Sequence, residues 1–131
     1  MMITTAVKSV LSKYATFGGR ASRSEFWWWV LATFLFFAVV QIIDGAVILP
    51  ILGFEAFQED GGQPLSMIFA LLLIIPNIAV AVRRLHDTGR SGWWLLLALI
   101  PILGTLIILY FYIQPSEDGS NDYGAPHPLT A

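Results

Sequence analysis

Three long apolar runs organise this chain. Phe26 to Ile43 and Leu65 to Val82 are each eighteen residues without a charge, and Trp93 to Ile113 is a third uncharged run. Eighteen residues rise about 27 Å as an α-helix, close to the ~30 Å hydrocarbon thickness of a bilayer. The pattern predicts an all-α membrane protein with three transmembrane helices, over about 26–49, 65–88 and 92–113. Ahead of them, Ile3, Val7, Val10, Leu11, Tyr14 and Phe17 recur at helical spacing, with Thr4, Thr5, Lys8, Ser9, Ser12 and Lys13 on the opposite face. Residues 1–17 therefore read as a short N-terminal interfacial amphipathic helix. A frayed, lysine-bearing tail is the alternative.

The residues between the runs supply the punctuation. Gly18-Gly19 breaks the first helix, and Ser22-Arg23-Ser24-Glu25 then matches a capping box that starts the first span. That span is too long for a signal-peptide core and lacks a small-residue cleavage site, so it is expected to remain. Gly53 to Pro64 is polar and acidic and reads as a loop. Pro76-Asn77 should kink the second span. Asn77 can answer the freed carbonyl locally, the favoured reading, or hydrogen-bond a neighbouring helix. Gly89 suits a C-terminal cap, and Ser91 is placed to cap the third helix, in which Pro101 and Gly104 can introduce a kink or break. Residues 18–114 thus form one three-span domain, and 115–131 a polar C-terminal tail.

Composition agrees. Hydrophobic residues make up 56% of the 131 residues and charged residues 12%, roughly half the charged share usual in soluble domains. A soluble domain this small could not bury that apolar surface. With no cysteine there is no disulfide, thiolate chemistry or cysteine metal site, and two histidines make a poor metal cage. No cofactor is expected.

Charge is distributed unevenly. All seven basic residues lie before the first apolar run or between the second and third runs, and only Glu25 and Asp87 of the nine acids lie with them. Those regions carry +5 and the rest of the chain −7. The positive-inside rule then predicts a cytoplasmic N-terminus, with the 53–64 loop and the C-terminus outside. If Pro101–Gly104 makes a re-entrant turn, the tail returns to the cytoplasmic side instead. The basic clusters have this topological explanation, so no nucleic-acid partner is expected.

The candidate site is the polar group at that interface: Arg20, Arg23 and Glu25 facing Arg83, Arg84, His86, Asp87 and Arg90. Arg83 and Asp87, at i and i+4, can pair on one helix face. One reading is a staple of arginine–carboxylate pairs. Another is a binding site for an anionic phospholipid head group. Catalysis by His86 with Asp87 is disfavoured, because adjacent helix positions point apart and no nucleophile other than Thr88 is at hand. Asp44 is either a costly intramembrane acid, and hence functional, or, with a first span of only eighteen residues, an interfacial one, the favoured reading.

Phe17-Gly18-Gly19-Arg20-Ala21-Ser22-Arg23-Ser24-Glu25-Phe26-Trp27 resembles the opening motif of a bacterial inner-membrane family known as domain of unknown function 805. The run Arg83 to Trp94 is similar to its central motif, and Asn121-Asp122-Tyr123-Gly124 with Pro126 to its closing Asn-x-Tyr-Gly element. Asp122 and Ala125 depart from that element's usual basic and proline choices. The resemblance implies a multi-pass protein of the bacterial inner membrane and no particular activity. The expected role is non-catalytic: a structural, assembly or regulatory component that binds membrane lipid, a membrane-protein partner or a second copy of itself. An oligomeric transporter or channel component and a membrane enzyme acting on a lipid head group are the alternatives.

Overall fold

A computed structural model describes residues 2–126. Among them the structure is helical, with one isolated bridge between Asn121 and Gly124. Helix α1 is Ile3–Ser12. Helix α2 starts at Arg23, is regular to Ile43, passes through a π-helical turn at Asp44–Ile48 and ends at Ile51. Helix α3 is Pro64–Asp87. A 3₁₀ arm, Gly92–Leu99, is followed by helix α4, Leu103–Ile113.

Helices α2 and α3 are long and apolar enough to cross a membrane, and only 22% and 28% of their most apolar windows is buried. The core helix of a soluble protein would be covered; these present their side chains outward. The helix at the N-terminus is shorter than the reading over 1–17. It buries Ala6 and Val10 against protein, while Leu11, Tyr14 and Phe17 stay exposed.

The third span read over 92–113 is not one helix. The chain reverses between its halves, at Ile102, which has φ 62° and ψ −68°. The Leu103 N–H donates to the Pro101 carbonyl at 2.7 Å, closing a γ-turn of the rare positive-φ kind, which is strained for a β-branched residue. Proline cannot continue the arm's hydrogen bonding, and Gly104 lets the two arms meet. A methyl group on Gly104 would overlap the Leu97 carbonyl oxygen. Gly104, Ile108 and Tyr112, at i, i+4 and i+8, form the buried face of α4. The eight-residue arm rises about 16 Å and the eleven-residue helix about the same. Each is about half the hydrocarbon thickness.

The chain divides into two compact units, Met1–Trp29 with Ile75–Ala131, and Val30–Ile74. In the second, Asp44 is buried within the π-turn that carries α2 past it. Its carboxylate accepts the N–H groups of Leu65 and Ser66 at 2.8 and 2.7 Å and the Ser66 hydroxyl at 2.7 Å. It thereby caps the first turn of α3, where negative charge is favoured. The π-turn also exposes the Gly45 carbonyl to the Phe57 amide at 2.9 Å, and the Phe57 ring fills the space a Gly45 side chain would need. Phe36 and Phe69 pack edge to face, centroids 5.0 Å apart.

In the first unit, Ser22 is the cap the sequence predicts: its hydroxyl accepts the Glu25 amide at 3.1 Å. Ser22→Ala should therefore cost about 1 kcal/mol. A detergent melt in which Ser24→Ala costs as much would reassign the cap. Asn77 takes the longer-range of its two options: its side-chain oxygen accepts the Trp29 indole N–H at 2.7 Å. In an apolar setting that indole would otherwise lose its water partner, so the contact between α2 and α3 wins over local repair.

Candidate functional site

The C-terminus of α3 is built for the contacts it makes. The Arg90 amide donates to the Leu85 carbonyl and the Gly89 amide to the His86 carbonyl, with Gly89 at φ +82°. This is a Schellman cap, and it turns the chain sharply into the 3₁₀ arm. On the last two turns of α3, Arg83, Arg84 and Asp87 are all buried, as are Arg20 and Glu25 from the opening segment.

Asp87 is the hub. Its carboxylate takes the Arg20 Nε–H at 2.9 Å, Arg84 Nη1 at 2.7 Å and the Ser116 hydroxyl. Arg20 spends all its donors. Beyond Asp87, they reach the backbone carbonyls of Asp87, Glu117, Gly119 and Gly124. A guanidinium has five N–H groups, so none is left over. Arg84 donates to the Tyr112 carbonyl at 3.0 Å and to that of Gln114, and Arg23 to that of Ile113 at 3.1 Å. Three consecutive carbonyls that α4 leaves unpaired at its end are thus each met by a guanidinium, and the cations sit at the negative end of its dipole.

The i,i+4 pair expected between Arg83 and Asp87 is absent. Arg83 pairs with Glu25 at 3.1 Å, and its Nε donates to the Thr16 carbonyl at 3.2 Å. Asp87 pairs instead with Arg84 at i,i+3 and with Arg20. Two well-placed guanidiniums stabilise a buried carboxylate better than one neighbour on its own helix. Glu25 also accepts the Ser9 hydroxyl at 3.0 Å, which ties α1 to the cluster. Three buried arginines face two buried carboxylates here. The surplus positive charge is met by helix-end and tail carbonyls.

His86 is a strut. Its Nδ1 lies 2.9 Å from the Gly19 carbonyl, its ring stacks on Tyr123 with centroids 4.0 Å apart, and Asp87 does not orient it. Arg90 lies over the Phe111 ring at 4.0 Å. Ser91 precedes the arm, but its hydroxyl does not cap it. Asn121 holds the closing element: its Nδ2 donates to the His86 carbonyl and its Oδ1 accepts the Tyr123 amide, both at 2.9 Å. All eight predicted site residues therefore lie in one unit, together with Ser116 and the tail carbonyls. The tail's backbone could not be singled out from the sequence, since a carbonyl has no residue signature. The last residues of the predicted tail, 127–131, lie outside the described residues. Among the described residues no group of acids and histidines could hold a metal.

The opening, central and closing motifs thus meet at one place. A family model described as "Protein of unknown function (DUF805)" matches residues 14–125, a stretch that holds every one of these contacts except that of Ser9. The chain belongs to the DUF805 family. It is 42% identical over 120 residues to the inner membrane protein YhaH of Escherichia coli K12, covering 91% of this chain and 92% of the relative. To the inner membrane protein YhaI of the same strain it is 40% identical over 116 residues, covering 88% and 89%. No solved structure matches this DUF805 chain.

Proposed function

We propose that this protein is a non-catalytic component of the bacterial inner membrane that binds lipid or a membrane partner, and that its arginine cluster is a staple rather than a reaction centre. The observation that carries this reading is the saturation of Arg20, whose five donors all go to Asp87 and to backbone carbonyls. A guanidinium engaged in this way, 3% exposed, has nothing left for a substrate phosphate or an anionic head group. His86, beside it, serves as a stacking strut.

In this reading α2 and α3 span the membrane, and the 3₁₀ arm with α4 forms a re-entrant hairpin that returns at mid-depth. The N-terminus is cytoplasmic by its basic residues, and α1 lies at that interface with Leu11, Tyr14 and Phe17 toward lipid. The C-terminal tail is then cytoplasmic too, because Glu117, Gly119 and Gly124 meet Arg20. Reporter fusions after Ile43, Asp87 and Ala131 should read outside, inside and inside. An outside readout at Ala131 would restore three spans and sink the hairpin.

A further inference from the structure

Between α3 and the 3₁₀ arm runs an open groove of about 500 Å³, lined by Ile78, Val82, Trp93, Leu96 and Leu99, with His86 at its mouth. The arm beside it, Gly92–Leu99, rises about 16 Å, the depth of one leaflet. An apolar channel of that length, open along its side, matches a single acyl chain. Gly92 is part of its lining, and a side chain there would press on Val82.

The mouth has a chemistry of its own. Because the Gly19 carbonyl can only accept, His86 Nδ1 carries the hydrogen in their 2.9 Å contact. In that tautomer Nε2 is the acceptor, and among the described residues nothing occupies it. The adjoining tail binds His86 on both sides of Asp122, through the Asn121 side chain and the Tyr123 ring. Among the described residues Glu117, Asp118 and Asp122 form no ion pair. The nearby cations are committed: Arg20 and Arg84 to Asp87 and backbone carbonyls, Arg90 to Phe111. An acceptor nitrogen held by a tail segment that carries uncompensated carboxylates suits a cation that donates hydrogen bonds.

We propose that this groove seats one chain of a phospholipid with a primary ammonium head group, the ammonium donating to His86 Nε2 and drawn there by the acidic tail segment that includes Asp122. The inference rests on the lipid-binding reading above and names its ligand and place.

The test is native mass spectrometry of the purified full chain given equal amounts of phosphatidylethanolamine and phosphatidylcholine with identical acyl chains. The choline head is cationic but has no N–H to give. Wild type should retain the ethanolamine lipid roughly fivefold over the choline lipid, a modest figure for a charge-assisted hydrogen bond. His86→Phe keeps an aromatic ring over Tyr123 without the acceptor, and Asp122→Asn changes an exposed residue; each should bring the ratio toward about one. Ile78→Trp and Leu96→Trp fill the groove from exposed positions and should lower retention of both lipids. Equal retention of the two lipids by wild type overturns the head-group assignment, and full retention in both tryptophan variants overturns the groove. Retained lipid should have the mass supplied. A lipid found chemically altered would overturn the non-catalytic reading while leaving the groove occupied.

Discussion

Asp87→Asn should cost about 3–5 kcal/mol, the usual loss when one partner of a buried ion pair is removed. Asp87 is 1% exposed and holds two guanidiniums and a hydroxyl. The amide keeps the shape but loses the charge, and it turns a donor toward Arg20 or Arg84. Both arginines then lack a counter-ion in a site water does not reach. A detergent melt against Asp118→Asn isolates the effect, since Asp118 is exposed and should fall within about 0.5 kcal/mol of wild type. The tail should also become protease-sensitive, because Arg20 holds both Asp87 and the Glu117 and Gly119 carbonyls. The double variant Arg20→Met with Asp87→Leu removes both charges and should lose less than the two single changes together. If Asp87→Asn melts with wild type, the cluster is not a staple.

Gly104→Ala is the second large effect, and it is steric rather than electrostatic. The added methyl would meet a backbone carbonyl, that of Leu97, which cannot rotate away as a side chain could. The 3₁₀ arm and α4 must then separate, pulling Trp94 from Phe111, whose rings now sit edge to face at 5.5 Å. Overpacking of this kind costs roughly 1–3 kcal/mol. Gly18→Ala is the matched control, because nothing lies within 4 Å of the site of its new methyl group. Equal melts for the two variants would mean the hairpin does not close at Gly104.

What could be read from the sequence is what depends on near neighbours. The apolar runs give α2 and α3, and the spacing of Ser22 and Glu25 gives the cap. Gly89 ends α3 as its freedom at positive φ allows. The misreadings share a cause: a local partner was available and a distant one won. Asp87 sits one turn from Arg83 but leaves it to Glu25, 58 residues from Arg83, and binds Arg84 and the distant Arg20 instead. Asn77 could have served its own helix but serves Trp29, 48 residues away. The third apolar run is long enough to span, and Pro101 with Gly104 only hints that it turns back. The γ-turn at Ile102 makes the reversal, and periodicity carries no trace of it. The site's membership was legible because its charges are clustered along the chain; its pairing was not.

The wiring of Arg20 also imposes an order in time. Its acceptors lie 67 to 104 residues downstream, so a ribosome adding about 5–20 residues per second leaves this arginine waiting for several seconds. When Asp87 emerges, two of the five bonds become available; the other three need Glu117, Gly119 and Gly124. A nascent chain that stalls before them carries a cation with two of its five bonds, open to water and to any acidic partner nearby. Completion of the cluster therefore waits for the tail, and residues 117–124 lock the opening segment in place.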